Sequence, residues 1–180
     1  MPDLKTQIAD LGEIGIHLKS DISVDDLLDF HSQYAYEDEP YLRLLRTMGE
    51  YAELSDQFFY LDDTEMIEDN NSYTSLARRL IELTEGDLVV ENLHSHVDHD
   101  AQIAWIAFSL SGKDYYWKLK YNNDWLDRDI IGKFAQLLKE QPTSKRYIRH
   151  DTEILIGCVT EVQLDALVQR FNLKFKLVHW

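Results

Sequence analysis

The sequence predicts an α+β fold. Apolar residues recur at helical spacing through residues 1–86, strict two-residue alternation appears after residue 100, and no stretch rich in Pro, Gly or Ser separates the two patterns. From residue 87 onward the elements read β-β-α-β-β-α-β, antiparallel hairpins in one sheet with helices on one face. We therefore expect a single compact domain over 1–180, mainly helical at 1–86 and sheet plus helix at 87–180.

The first helix is expected near 4–14, where Leu4, Ile8, Leu11 and Ile14 share a face. Ser23 has the chemistry of an N-cap and Asp26 stands three residues on, as in a capping box. Pro40 suits the first turn of a helix carrying Tyr41, Leu44, Leu45 and Met48, with Gly49 at its C-terminal stop. Phe58-Phe59-Tyr60-Leu61 is a short strand or irregular edge. Asn71 or Ser72 opens a helix with Tyr73, Leu76, Ala77, Leu80 and Ile81 on one side, and Gly86 ends it. Residues 102–110 and 115–121 form a hairpin, the first strand apolar on both faces and the second alternating Tyr115, Trp117 and Leu119 with lysines. A helix from about Asp127 buries Ile130, Ile131, Phe134, Leu137 and Leu138, and Pro142 closes it. Strands at 146–150 and 153–159 follow. Thr160 with Gln163 makes a second capping box for a helix, and 173–178 is the last strand.

Composition narrows the function. An apolar fraction of 44% in 180 residues excludes intrinsic disorder, since such a chain buries enough surface to offset its conformational entropy. A net charge of −15 argues against nucleic acid and anionic membranes, which draw affinity from clustered cations. No apolar run approaches the ~18 residues of a membrane span, and the start MPDLKTQIAD lacks the features of a signal peptide. One cysteine makes no internal disulfide, so the expected location is the cytoplasm. Charge is also uneven along the chain. Residues 1–100 carry 24 acids and six bases, a net of −18, whereas residues 101–180 carry a net of +3. A solvated face accounts for such runs; so does a surface that steers a basic protein partner.

His94-Ser95-His96-Val97-Asp98-His99 satisfies HxHxDH, the metal-binding signature of the metallo-β-lactamase family. A metal-dependent hydrolase using His94, His96, Asp98 and His99 is therefore the alternative reading. The surroundings depart from that family. Helices precede the string where the family has strands, and the glycine turn with a later ligand histidine is missing. The string then reads as a polar connection between a helix and a strand, holding no metal. The acidic stretch 62–72 lacks the central glycine and ligand spacing of an EF-hand. Cys158 sits in an apolar strand as a small hydrophobe. No P-loop, GxSxG, CxxC or dinucleotide fingerprint occurs, and no cofactor is expected.

The succession AWIAFSLSGKDYYWKLKYNNDWLDRDIIGKFAQLLKE, then RYIRH, then DTEILIGCVTEVQLDALVQRF resembles small bacterial α+β proteins of the polymorphic-toxin immunity type. The resemblance covers the C-terminal half. It implies a cytosolic, non-catalytic protein that binds and neutralises a cognate toxin, and acidity suits a basic toxin domain. A regulatory or adaptor protein is the other non-enzymatic reading. Aromatics beside acids are a common make-up of protein-binding surfaces. On that ground the expected partner-binding residues are Tyr36, Glu37, Asp38 and Glu39, with Tyr60, Asp62, Asp63, Glu65, Glu68 and Asp69.

Overall fold

The computed structural model describes residues 1–61, 67, 69–123 and 125–179, and two separate antiparallel sheets divide its helices between them. The chain runs through α1 (Leu4–Glu13), α2 (Val24–Phe30), α3 (Gln33–Asp38), α4 (Leu42–Glu50), β1 (Phe58–Tyr60), α5 (Ser72–Glu82) and β2 (Val90–Asp98). It continues with β3 (Ile103–Leu110), β4 (Lys113–Leu119), α6 (Asp129–Lys139), β5 (Lys145–His150), β6 (Leu155–Thr160), α7 (Glu161–Gln169) and β7 (Phe175–Leu177). The fold is α+β, as the periodicities predict.

The pairing differs from the expected single sheet. β2-β3-β4 form a three-stranded meander, while β1-β6-β5-β7 form a four-stranded sheet in which β1 comes from the N-terminal part. Alternation tells which residues of a strand share a face; it does not say which strand lies alongside. The chain accordingly divides into two compact units, Met1–Asp62 with Ser144–Leu177, and Asp63–Thr143 with Val178–Trp180.

In the first unit, Leu4, Leu11, Leu27, Tyr36, Leu44, Leu45 and Met48 from the helices bury against Phe58, Ile148, Leu155, Val159 and Phe175 of the sheet. Both capping boxes form. Ser23 and Asp26 bond reciprocally at α2, as do Thr160 and Gln163 at α7. Gly49 lies inside the last turn of α4 and is not its terminal stop. Its role is close approach: a Cβ there would fall 2.7 Å from the backbone nitrogen of Tyr60. Tyr41, the N-cap of α4, is held at φ 64° by two contacts to α1, its N–H to Gln7 Oε1 at 2.8 Å and its hydroxyl to Asp10 at 2.6 Å. Gln7, wholly buried, also donates to the carbonyls of Pro2 and Tyr36.

In the second unit, α5 and α6 bury Tyr73, Leu76, Leu80, Ile130, Phe134 and Leu138, and the sheet buries Val97, Ile106, Phe108 and Leu119. Residues 94–98, expected as a connection, belong to β2 and pair with β3 in regular register from His94↔Ala107 to Asp98↔Ile103. Ser95 bonds the Thr74 hydroxyl at 2.8 Å and the Asn70 carbonyl, and Asn70 Oδ1 accepts from Val97 N at 2.7 Å. These bonds tie β2 to the start of α5.

Candidate protein-binding surface

Between Lys19 and Arg43 the chain contains no lysine or arginine and seven acids, Asp21, Asp25, Asp26, Asp29, Glu37, Asp38 and Glu39. This segment folds as α2 and α3 of the first unit. The Tyr36 hydroxyl donates to the Leu27 carbonyl at 2.9 Å and its ring meets His31 edge-on at 5.8 Å, so Tyr36 fastens α3 to α2. Its side chain has no exposed surface and burial raises the pKa of its hydroxyl. Tyr36 therefore offers a partner nothing to grip, contrary to the expectation from its neighbours. Tyr34, two residues earlier, is 73% exposed. A helix turns about 100° per residue, so the two rings leave α3 on opposite sides.

The acids of this surface are unequally committed. Asp26 is bound to Ser23 in the capping box, whose hydroxyl and N–H lower its pKa. Glu37 accepts from Gln33 at 2.7 Å, and Glu39 is paired with Arg43. Asp21, Asp25, Asp29 and Asp38 are exposed. The segment thus exposes four acids, Asp21, Asp25, Asp29 and Asp38, and one tyrosine, Tyr34.

Of the second expected cluster, the structure describes Tyr60 and Asp69. Tyr60 is half-buried beneath Arg46, whose guanidinium donates to its hydroxyl at 2.7 Å and stands 4.7 Å from its ring. Arg46 is also paired with Glu50 at 3.3 Å and Glu153 at 3.6 Å. Tyr60 is part of this internal ionic cluster. Asp69 closes the turn before α5, accepting from Asn71 N at 2.7 Å. Asp62, Asp63, Glu65 and Glu68 lie outside the described residues.

The histidine string occupies an exposed sheet face. His94 and His96 both contact Trp105, with centroids 5.5 and 5.6 Å away, and Tyr116 continues the row at 5.3 Å. His94 Nδ1 lies 2.7 Å from the Asn92 carbonyl, which only accepts, so Nδ1 carries the hydrogen. Asp98 accepts from Ala101 N at 2.8 Å, and His99 Nδ1 meets the Tyr121 hydroxyl at 2.9 Å. Among the described residues no group of three or more His, Cys, Asp or Glu side chains is placed to hold a metal ion. Strand alternation explains the arrangement, because it sets His94 and His96 side by side while His99 follows the strand's end. Cys158 is buried on β6 opposite Tyr147.

Folding redistributes the charge. Residues 1–62 carry 14 acids and four bases, and residues 144–177, with four acids and six bases, pack into the same unit. The two units end with nearly equal net charges of −8 and −7. Within the first unit, the stretch between Lys19 and Arg43 contains no lysine or arginine. Among the described residues no helix is long and apolar enough to cross a membrane. No protein-family model matches this sequence, and neither a curated protein nor a solved structure resembles it significantly.

Proposed function

We propose that this chain is an acidic protein-binding module of the immunity type, which neutralises a basic toxin domain by covering it with the α2–α3 surface. The observation that carries the reading is a segment with seven acids and no lysine or arginine, which also exposes Tyr34 over 73% of its surface. Single-sign charge accelerates encounter with an oppositely charged partner, and an exposed tyrosine supplies the apolar anchor that charge lacks. Tyrosine is suited to that task because it contributes a large rigid ring at little cost in conformational entropy.

The test uses the product of the gene adjacent to this chain's own. Asp21, Asp29 and Asp38 are reversed together to Lys, and Tyr34→Ala is made separately. The triple reversal is expected to slow association about tenfold at low salt, in line with the usual steering effect. Tyr34→Ala is expected to act mainly on dissociation. Lys174→Glu, at an exposed site on the same unit, is the control. An on-rate indifferent to both salt and the triple reversal reduces these acids to a solubilising role. Binding without protection of cells that express the neighbour leaves a regulatory or adaptor protein instead.

A further inference from the structure

The second unit contains a cleft that the acidic surface does not use. Between β4 and α6 lies a cavity of about 260 Å³, close to the lower end of the ~300–1,000 Å³ typical of small-molecule sites. Tyr115 and Trp117, two apart on β4 and so on one face of the strand, form its aromatic floor with centroids 6.2 Å apart. Both rings are pinned from within. Phe108 stacks on Tyr115 at 5.1 Å, and Phe108 and Phe134 meet Trp117 edge-on at 4.8 and 5.3 Å. Leu137 of α6 closes the apolar side, and Gln136, bonded to Glu140 at 3.0 Å, makes a polar rim.

Two ammonium groups lie over this floor. Lys113 Nζ stands 4.8 Å from the Tyr115 centroid and Lys133 Nζ 5.5 Å from that of Trp117. The unit around them has a net charge of −7, so the cleft gathers cations where the unit is otherwise acidic. A planar apolar body matches the floor and a negative group matches the lysines. Glu140 also lines the cleft and opposes a multiply charged anion more strongly than a monoanion. The volume admits one ring or two fused rings.

We propose that this cleft binds a small aromatic carboxylate, its ring against Tyr115, Trp117 and Leu137 and its carboxylate drawn to Lys113 and Lys133. The proposal does not rest on the protein-binding reading, since the two use different residues. The experiment is calorimetric titration of the full chain with 2-naphthoate and with its neutral isostere 2-naphthamide. Naphthoate is expected to bind at least tenfold more tightly than the amide. The double variant K113Q/K133Q, whose fold is checked by circular dichroism, is expected to weaken naphthoate about tenfold and leave the amide unchanged. Lys118, exposed on the opposite face of β4, gives the control K118Q, which is expected to change neither. Three results overturn the proposal: no binding of naphthoate, equal affinity for acid and amide, or a loss in K118Q as large as in K113Q/K133Q.

Discussion

Tyr34 and Tyr36 show how far a residue's meaning depends on which side of a short helix it occupies. Both stand beside the same acids, and adjacency in sequence singled out Tyr36, which the fold buries. The helical phase of α3 would have separated them, because only one of two positions about 200° apart can face α2. Tyr36→Phe removes the bond to the Leu27 carbonyl and is expected to cost about 1 kcal/mol in urea denaturation. Tyr34→Ala should stay within about 0.5 kcal/mol of wild type, as exposed substitutions do. His150 gives a second expectation at this scale. Burial lowers its pKa despite the opposing pull of Glu153 and Asp151, and its ring packs edge-on against Phe175 at 5.3 Å. The unfolded chain therefore takes up this proton first as pH falls. His150 makes no pH-dependent contribution above its ordinary value near 6.5, and stability declines below it until the folded form protonates as well. A urea midpoint measured from pH 8 to pH 5 should fall more steeply for wild type than for His150→Phe.

Among the elements, the helices were the most legible, because apolar spacing and caps are both local. Ser23 with Asp26 and Thr160 with Gln163 form the boxes their spacing predicts. Glycine favours a helix stop, yet Gly49 lies inside α4 and serves the packing of β1 on it. Gly49→Ala places a methyl group 2.7 Å from Tyr60 N and 3.0 Å from both the Phe59 carbonyl carbon and Leu155 Cδ1. Most of that crowding is backbone, which cannot rotate away, so a loss of about 1–3 kcal/mol in thermal or urea unfolding is expected. Gly86→Ala is no control for this contact, since its φ of 96° strains any side chain, whereas Gly12→Ala meets only His17 at 3.6 Å and serves as one. The strand pattern of β2 is obscured in the sequence. Three histidines weaken its alternation, and a register shift between Glu91 and His94, with Asn92 at φ 54°, interrupts its period. Ser95 and Val97 still point inward, and that alternation was the available signal.

For the whole molecule, charge along the sequence and charge in space prove to be different quantities. The C-terminal cations return to the first unit, where Arg170 pairs with Asp10 at 3.0 Å and Glu13 at 2.7 Å across some 160 residues of chain. Arg170 is 43% exposed, so Arg170→Ala is expected to lower the urea midpoint only slightly, and added salt should largely erase the difference. The α+β class, the helices other than α3, both capping boxes and the hairpin of β3 and β4 are legible in the sequence, because spacing, caps and turns act within a few residues. Of the acids in the proposed surface, Glu37, Asp38 and Glu39 stand out in the sequence as a run. Packing settles that the strands form two sheets, that Tyr34 is exposed where Tyr36 is buried, and that Lys113 and Lys133 each stand over a ring of β4. Those outcomes depend on contacts between residues far apart in the chain, where periodicity assigns a face but not the neighbour that covers it.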